Sequence, residues 1–377
     1  MSDFIQLHVL TSYPPANLNR DDLGRPKTAI MGGTQRLRVS SQSLKRAWRT
    51  SEVFEKLLSG HVGIRTKDLG NKTYEALIAA SIAPDAADQL AKKIAAVFGK
   101  VKGGDAEADA KPSKTRKKPG ASAEGATEAA VAKAAREGRQ IEQLVHVSNA
   151  EWAAIEGLIK KASKGDAISD DEIQAVLGDA RSTADIGLFG RMLAANPVHN
   201  VEAAAQVAHA ISVHKVTVED DYFTAVDDLN KGEEDLGAGH IGTNEFAAAL
   251  FYQYVCINRT LLLENLGGNE ALASKAIKAL AEAVATVAPG GKQATFGSRA
   301  RASFMVAERG AEQPRSLSVA FLKSVSGDDF LQSAIQALKT TAERMDKVYG
   351  PCAEARQSFD AVAGEGTLAE ILAFVGR

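Results

Sequence analysis

The chain has 377 residues, of which 45% are hydrophobic and 24% are charged, and its formal net charge is −2 at pH 7. This length allows two or three domains, or one domain with large insertions, and no apolar run is long enough to span a bilayer. Cys256 and Cys352 lie far apart and outside a C-x-x-C spacing, which argues against a disulfide framework or a zinc knuckle. Residues 1–10 lack the features of a secretory signal, so we expect a soluble, cytoplasmic protein without membrane contact.

Charge is distributed unevenly along the chain. Between residues 17 and 50 there are eight basic and two acidic side chains, an excess of six positive charges, so the rest of the chain has a net charge of −8. Such segregation produces a surface that attracts phosphate groups. It also leaves acidic surface elsewhere, which suits contacts with basic patches on neighbouring copies.

The amino-terminal pattern predicts two strands. Residues 4–10 alternate in polarity and indicate an opening strand of the core, and the turn-forming residues that follow, up to residue 35, predict a loop. Residues 36–39 alternate again, which predicts a half-buried strand with Arg36 and Arg38 on its open face.

A basic amphipathic helix is predicted after this second strand. Ser40 or Ser41 is the expected N-cap, because a short hydroxyl side chain can accept a hydrogen bond from the first turn. On a helical projection of about 100° per residue, basic and apolar residues separate onto opposite sides. The basic side contains Gln42, Lys45, Arg46, Arg49 and Lys56, and the apolar side contains Leu44, Ala47, Trp48, Phe54 and Leu58. The helix N-terminus with these cations is a candidate phosphate cradle, and the alternative is an ordinary amphipathic helix with a solvated basic face.

Residues 61–182 predict short, alanine-rich helices. Within them, residues 100–122 have almost no large apolar side chain and predict a mobile insertion. This insertion is either a solubilising linker or a nucleic-acid contact through its basic residues, Lys114, Arg116, Lys117 and Lys118. A second basic cluster, Lys160, Lys161 and Lys164, ends a predicted helix, where the helix C-terminus alone explains it.

The second half of the chain predicts a mixture of strands and helices. Residues 203–214 indicate an alanine-rich helix or a buried segment, and residues 215–223 indicate one arm of a hairpin that returns through residues 232–242. Residues 246–257 are almost continuously apolar, which fits a central strand or a buried helix. The remaining predicted elements are a helix at 262–287, a strand near 303–307 and a helix at 330–348.

Catalytic and metal-binding motifs are not found in the sequence. The seven histidines do not form an H-E-x-x-H motif, a G-x-S-x-G motif is missing, and the loop at 289–293 does not fit the phosphate-loop pattern. Adjacent carboxylates can hold magnesium, although such pairs are also common in turns. The acidic pairs are Asp21–Asp22, Asp170–Asp171, Asp220–Asp221 and Asp227–Asp228. We therefore predict a protein without a cofactor, a bound metal or a catalytic site.

Seven stretches together resemble one known family. In chain order they are FIQLHVLTSYPPANLNRDD, GGTQRLRVSSQSLKRAWR, FGRM, AHAISVHKVTVEDDYFTAVDDL, HIGTNEF with FYQYVCIN after it, LLLENLGG and PGGKQATF. They resemble the backbone subunit of the type I-E CRISPR Cascade complex, the CasC family. The resemblance covers both ends of the chain and most of the middle, and it is poor from residue 61 to residue 181.

The resemblance implies an α+β fold with a modified RNA-recognition-motif (ferredoxin-like) palm, inserted helical fingers and a β-hairpin thumb. It places the palm at residues 1–60, 183–214 and 250–377, the fingers at 61–182 and the thumb at 215–249. The usual aromatic signature of RNA-recognition motifs is missing from this sequence.

The resemblance also implies a function without catalysis. Family members coat the CRISPR RNA as a helical filament of typically six copies, together with other Cascade subunits, and present the guide to a target DNA strand in antiviral defence. The residues implied to contact the RNA backbone are Arg20, Ser40, Gln42, Lys45 and Arg49, and we add Arg46 and Lys292 to this set. Met192, Phe223 and Thr224 match residues that pin a displaced nucleotide, whereas a buried hairpin aromatic would otherwise be expected for Phe223. Lys160, Lys161 and Lys164 are candidates for contacts with target DNA.

Two other functions remain open from the sequence. One is a metal-dependent ribonuclease that uses a loop aspartate, Asp21 or Asp22, as backbone subunits of related type III effectors do. The other is a protein that oligomerises without nucleic acid.

Overall fold

The computed structural model describes residues 3–102, 128–178, 180–225 and 240–377, and it confirms the predicted α+β class. The strands are β1 Phe4–Ala16, β2 Thr28–Met31, β3 Thr34–Val39, β4 Ile64–Thr66, β5 Val145–Val147, β6 Ala205–Val207, β7 Ala210–Ser212, β8 Glu219–Ala225, β9 His240–Asn258, β10 Phe304–Gly310 and β11 Ala355–Asp360. The helices are α1 Ser41–Arg49, α2 Glu52–Leu57, α3 Leu69–Ala79, α4 Pro84–Phe98, α5 Glu128–Gly138, α6 Asn149–Ser163, α7 Asp170–Gln174, α8 Ala184–Phe189, α9 Arg259–Asn265, α10 Glu270–Thr286, α11 Gln293–Phe296, α12 Phe330–Tyr349 and α13 Leu368–Val375.

Some predictions fall on residues outside this description. They are residues 103–122 of the expected mobile insertion with its basic residues Lys114, Arg116, Lys117 and Lys118, the acidic pair Asp227–Asp228, and residues 232–239 of the predicted hairpin return. Across the described ranges, no helix combines the length and hydrophobicity that crossing a membrane requires.

The chain divides into two compact units. The first contains residues 1–59, 204–264 and 268–377, and the second contains residues 60–203 with 265–267. The sequence interpretation assigned residues 183–214 to the palm. In the structure, the contacts of residues 183–203 lie within the second unit.

The first unit is built on a nine-stranded sheet with the order β11-β10-β1-β9-β7-β3-β2, in which β6 and β8 also pair with β9. All of the paired strands are antiparallel, and β1 lies between β9 and β10 in the register Phe4↔Asn258 and Phe4↔Gly310. Strand β9 has 19 residues, so it pairs with β1 along its second half and extends beyond the sheet body to pair with β8. This extension forms the hairpin β8–β9 within the predicted thumb range.

Both faces of β1 are covered. Leu10 belongs to a core cluster with Tyr252, Phe304 and residues of α12, and polar side chains between the apolar ones are also buried. One of them is His8, which lies 2.9 Å from the hydroxyl of Tyr252 and 3.3 Å from Glu308. Residues 4–10 are therefore a central strand, whereas alternation alone indicates one buried face.

Arg36 contradicts the prediction that both arginines of β3 lie on an open face. Its side chain is fully buried. The guanidinium donates hydrogen bonds to the backbone carbonyls of Ser212 and Phe321, each at 3.0 Å, and to the hydroxyl of Thr34. Because the residue that covers it is 285 positions away in sequence, the local pattern of β3 could not indicate this burial.

The predicted basic helix is interrupted after Arg49. The hydroxyl of Thr50 donates to the carbonyl of Arg46, and the hydroxyl of Ser51 accepts from the backbone amide of Phe54, which starts α2. Lys56 therefore lies on α2 and does not continue the basic side of α1.

The structure also decides between alternatives and divides one predicted helix. Of the two alternatives for residues 203–214, the alanine-rich helix is wrong: the segment contains the short strands β6 and β7, and Ala205, Ala210 and Val213 are buried. The helix predicted at 262–287 is two helices, α9 and α10, because Gly267 and Gly268 adopt positive φ angles of 64° and 82° between them. The apolar run at 246–257 is a strand, which resolves the choice left open by its sequence.

The second unit consists of helices α3 to α8 with the two-stranded sheet β4–β5. Its apolar core includes Leu77, Ile94, Phe98 and Ile155, all almost fully buried. A buried ion pair joins Glu151 of α6 to Arg191, with oxygen–nitrogen distances of 2.7 and 2.8 Å. This pair fixes the segment that follows α8.

Candidate nucleic-acid interface

Helix α1 packs one side into the core of the first unit and contains no acidic residue. Ser40 has extended backbone angles and accepts a hydrogen bond from the amide of Ser43 at 3.4 Å, which confirms it as the N-cap. Leu44 and Trp48 lie four residues apart, and each is only 1% exposed. Since these two side chains fix the rotation of α1, they also fix which side faces outward.

The polar side chains on the basic side of α1 form two rows. Gln42 and Arg46 are exposed, whereas Lys45 and Arg49 are half-buried beside them. Residues four positions apart lie on the same helix face, so each row runs along the axis. Burial lowers the pKa of Lys45. A phosphate placed beside Lys45 would favour the charged ammonium, so this position gains from a bound anion.

The loop before β2 is tied to the start of α1. Asn19 accepts a hydrogen bond from the backbone amide of Ser40 through its side-chain oxygen, at 2.9 Å. Arg20, the next residue, is exposed and forms an antiparallel bridge with Pro26 that holds the loop closed. The structure therefore places Arg20 next to the N-cap of α1, as the sequence could not.

The loop at 289–292, before α11, lies against residues 17 and 18 of the same segment. A Cβ atom added to Gly291 would lie 2.3 Å from the carbonyl oxygen of Leu18, so only glycine allows this approach. The next residue, Lys292, adopts a left-handed conformation with φ of 47°. Its ammonium donates to the side-chain oxygen of Asn244 on β9. Arg20, Ser40 and Lys292 are thus gathered around the segment 17–20.

The hairpin β8–β9 presents an aromatic side chain over a glycine. Phe223 pairs with Gly242 across the strands, and a Cβ atom on Gly242 would lie 2.5 Å from the ring. The side chain of Phe223 is 36% exposed, so it is not the buried hairpin aromatic that the sequence alone would suggest. Thr224 follows it, pairs with Ile241 and is also exposed.

Met192 projects from a rigid segment of the second unit. The residue before it, Arg191, is held by Glu151 and bridges to Val201. The residue after it, Leu193, is buried and donates its amide to Asn200 at 2.6 Å. Met192 itself is 72% exposed. The backbone on both sides of this exposed apolar side chain is therefore held in place.

The three candidate lysines for DNA differ in their surroundings. Lys161 donates to both carboxylate oxygens of Glu172, at 2.6 and 2.9 Å, and this contact lowers the pKa of Glu172 to about 2. Lys160 and Lys164 are exposed. The charge of Lys161 is therefore already paired, and the other two are the more accessible cations.

Of the two loop aspartates, Asp21 is held by hydrogen bonds within its own loop. A side-chain oxygen of Asp21 accepts hydrogen bonds from the amides of Leu23 and Arg25, at 3.0 and 2.9 Å, which closes a turn. Asp22 is exposed. In the parts of the chain that the structure covers, no three His, Cys, Asp or Glu side chains are grouped to hold a metal ion.

Comparison with known proteins identifies the family. The model of the CT1975-like protein family matches residues 5–371, which is nearly the whole chain. The chain belongs to the CT1975-like protein family. The matched residues include parts of both compact units. No curated protein is significantly similar to this chain.

Two solved structures are similar over their full length. A chain of a "CRISPR RNA-guided surveillance complex, pre-nicking" is 29% identical, with 99% of each chain covered and a TM-score of 0.77. A chain of a "CRISPR RNA-guided surveillance complex" is 24% identical, again with 99% of each chain covered, and its TM-score of 0.69 supports the fold alone. This member of the CT1975-like family therefore has the fold of a surveillance-complex subunit.

Several residues that position the interface were missed in the sequence. Asn17 donates to the carbonyls of Gly24 and Glu245, and Asn19 and Asn244 orient Ser40 and Lys292. These are ordinary loop or strand residues whose partners, apart from Gly24, lie in other segments of the chain. Of the residues that position the interface, Gly291 could be recognised from the sequence, because it lies in PGGKQATF, one of the seven stretches that resemble the family.

We expect Gly291→Ala to destabilise the first unit by about 1 to 3 kcal/mol, the usual cost of forcing an extra methyl group into a closed contact. The added carbon would collide with backbone atoms of Leu18 and Asn17, which cannot rotate away. Gly290→Ala is the matched control, because no atom lies within 4 Å of a Cβ atom there. Urea denaturation of both variants tests this, and equal stability of the two would contradict the close approach.

Proposed function

We propose that this chain is the RNA-binding backbone subunit of a type I-E CRISPR surveillance complex. In this proposal several copies, typically six, coat the spacer of the CRISPR RNA as a helical filament. They present it, with the other Cascade subunits, for pairing with target DNA in antiviral defence. The finer fold assignment, a modified RNA-recognition-motif palm with helical fingers and a thumb, belongs to the same proposal.

The observation that carries the proposal is the acid-free helix α1 with Lys45, Arg46 and Arg49 on its basic side, next to Arg20 and near the N-cap Ser40. Similarity to a CRISPR RNA-guided complex subunit over 99% of the chain supports RNA as the ligand. Contacts to the sugar-phosphate backbone carry no sequence information, and a protein that coats any guide must not read its sequence. Sequence reading is then left to base pairing with the target.

Met192 and Phe223 are proposed as the apolar contacts with displaced bases. Each is exposed and held by its neighbours, as the anchors of Met192 and the glycine beneath Phe223 illustrate. A flat or apolar side chain can pack against any base, since every base has a π-face. Such contacts are compatible with an arbitrary guide sequence.

Expression together with a CRISPR repeat–spacer transcript and the other subunits tests the proposal. We expect the purified complex to contain one RNA of uniform length, detected by absorbance at 260 nm and gel electrophoresis. Native mass spectrometry should give several copies of this chain per RNA. Oligomers that form without RNA would contradict the proposal.

The proposal contains no catalytic step for this chain. Incubation of the complex with a complementary RNA and magnesium should leave that RNA intact. Cleavage at regular intervals that disappears in Asp21→Ala or Asp22→Ala would replace the proposal with the ribonuclease alternative.

A further inference from the structure

Three basic side chains outside the predicted RNA-binding set lie near the place where β3 pairs with β7. Arg38 lies on β3, His209 lies between β6 and β7, and Lys27 immediately precedes β2. Nη1 of Arg38 is 3.0 Å from Nδ1 of His209, and the backbone amide of Arg38 donates to the carbonyl of Lys27 at 2.8 Å. His209 is exposed, and the other two are half-buried.

The contact between Arg38 and His209 determines where the hydrogens lie. A guanidinium is always protonated and only donates, so Nδ1 of His209 must accept this hydrogen bond. The imidazole is therefore neutral and carries its hydrogen on Nε2. The groups that this cluster can offer to a ligand are all donors: the Nε2–H of His209, the other N–H groups of Arg38 and the ammonium of Lys27.

Among the described residues, the charges that act on His209 are positive. Burial and the positive charges of Arg38, on β3, and Lys27, before β2, lower the pKa of His209. No carboxylate of the described residues forms an ion pair with Lys27 or Arg38. A cluster of donors without an acid is chemically matched to an anion such as a phosphate.

This cluster continues the candidate interface. The backbone amide of Lys27 donates to the carbonyl of Asn19 at 2.8 Å, and the side chain of Asn19 accepts from Ser40 at the start of α1. We propose that Arg38, His209 and Lys27 form an additional phosphate-binding site for single-stranded RNA. The proposal rests on the proposed function, because it extends the same RNA path from α1 to the start of β7.

A phosphate in this site couples binding to a proton. If the phosphate takes the hydrogen bonds of Arg38, Nδ1 of His209 is released and can be protonated. A nearby negative charge favours the imidazolium, so RNA binding takes up a proton and becomes tighter as the pH falls. A purely structural Arg38–His209 pair has no such coupling.

Fluorescence anisotropy with short single-stranded RNAs of mixed sequence, at several salt concentrations, tests the site. Loss of one phosphate contact in Arg38→Gln or Lys27→Gln should reduce the slope of log affinity against log salt by about 0.7, which is about fivefold in affinity at about 0.1 M salt. Lys347→Gln, which removes an exposed cation near the end of α12, is the control and should leave the slope unchanged. Lys27→Gln keeps its backbone contacts, so it remains informative if Arg38→Gln fails to fold.

The pH dependence of RNA binding is tested with His209→Gln. Wild-type affinity should rise more steeply than that of His209→Gln between about pH 7.5 and pH 5.5, by up to about tenfold per pH unit, which is the limit for uptake of one proton. Two results would overturn this site: equal pH profiles for wild type and His209→Gln, or salt slopes in Arg38→Gln and Lys27→Gln that equal the wild-type slope. If the wild type still binds RNA, either result leaves the proposed function intact. Failure of the wild type itself to bind RNA would instead contradict the proposed function.

Discussion

Replacing Lys45 and Arg49 together with alanine should lower the affinity for single-stranded RNA by about 25-fold at about 0.1 M salt. Each lost phosphate contact removes about 0.7 from the slope of log affinity against log salt, so two contacts remove about 1.4. The two side chains lie on one row of α1, four residues apart, and both are half-buried. Their position on a helix fixed by Leu44 and Trp48 makes them better placed than a mobile surface lysine to hold a phosphate.

The loss should be the same for every RNA sequence, because backbone contacts do not distinguish bases. Anisotropy titrations with several RNAs of equal length and different sequence measure this. The control is Arg344→Ala with Lys347→Ala, which removes the same charge from the exposed side of α12. A change in sequence preference, or an equal loss in the control, would show that α1 does not bind the backbone. Urea denaturation should accompany both double variants, because Lys45 and Arg49 also make contacts within the protein.

The elements that could be predicted from sequence alone are those that interactions between residues close in sequence determine. The N-cap at Ser40 is one example, because its hydroxyl bonds to an amide three residues away. The separation of basic and apolar sides on α1 is another, and Leu44 and Trp48 are buried as the projection requires. The helix near residues 330–348 was found for the same reason, as α12 at Phe330–Tyr349.

The elements that were missed depend on distant residues. Strand β2 lies within a predicted loop, and it exists because it pairs with β3. Strand β11 pairs with β10 and was not predicted, since its sequence has no strong alternation. Arg36 is the clearest case, because its burial follows from carbonyls of β7 and of a short 3-10 helix at Ser318–Phe321.

The candidate interface also contains some features that could be predicted from the sequence and others that could not. The basic character of α1 could be predicted from residue spacing, and the roles of Arg20 and Met192 came from the family resemblance. The contacts that bring Arg20, Ser40 and Lys292 around the segment 17–20 could not be predicted, because they join separate segments of the chain, as in the approach of Gly291 to Leu18. The cluster of Arg38 with His209 was missed for the same reason, since 171 positions separate its two members.

Glu151→Ala should lower the free energy of unfolding of the second unit by about 3 to 5 kcal/mol, the range for breaking a buried ion pair by removing one partner. The carboxylate is fully buried and accepts hydrogen bonds from Nη1 of Arg191 and from the backbone amide of Ser148. Its removal would leave the guanidinium of Arg191 buried with only backbone carbonyls as partners, from His146 and His199. Urea denaturation followed by circular dichroism measures the change.

Glu172→Ala is the matched control for this prediction. Both glutamates occupy the third position of a helix in a capping box, one with Ser148 and the other with Ser169. Glu172 differs in that it and its partner Lys161 are both substantially exposed. Because solvent screens an exposed pair, Glu172→Ala should cost far less than Glu151→Ala. Similar losses in the two variants would mean that the capping box, and not the buried charge, accounts for the effect.

The double variant Glu151→Ala with Arg191→Met separates charge from packing. If the uncompensated guanidinium is the cause, removing it should recover stability, so the double variant should be more stable than Glu151→Ala alone. Methionine keeps much of the arginine volume and has no charge to bury. A double variant that is less stable than Glu151→Ala would indicate instead that Arg191 stabilises the fold through its backbone carbonyl contacts. In that case Met192 would owe its exposed position to those carbonyls and not to the ion pair.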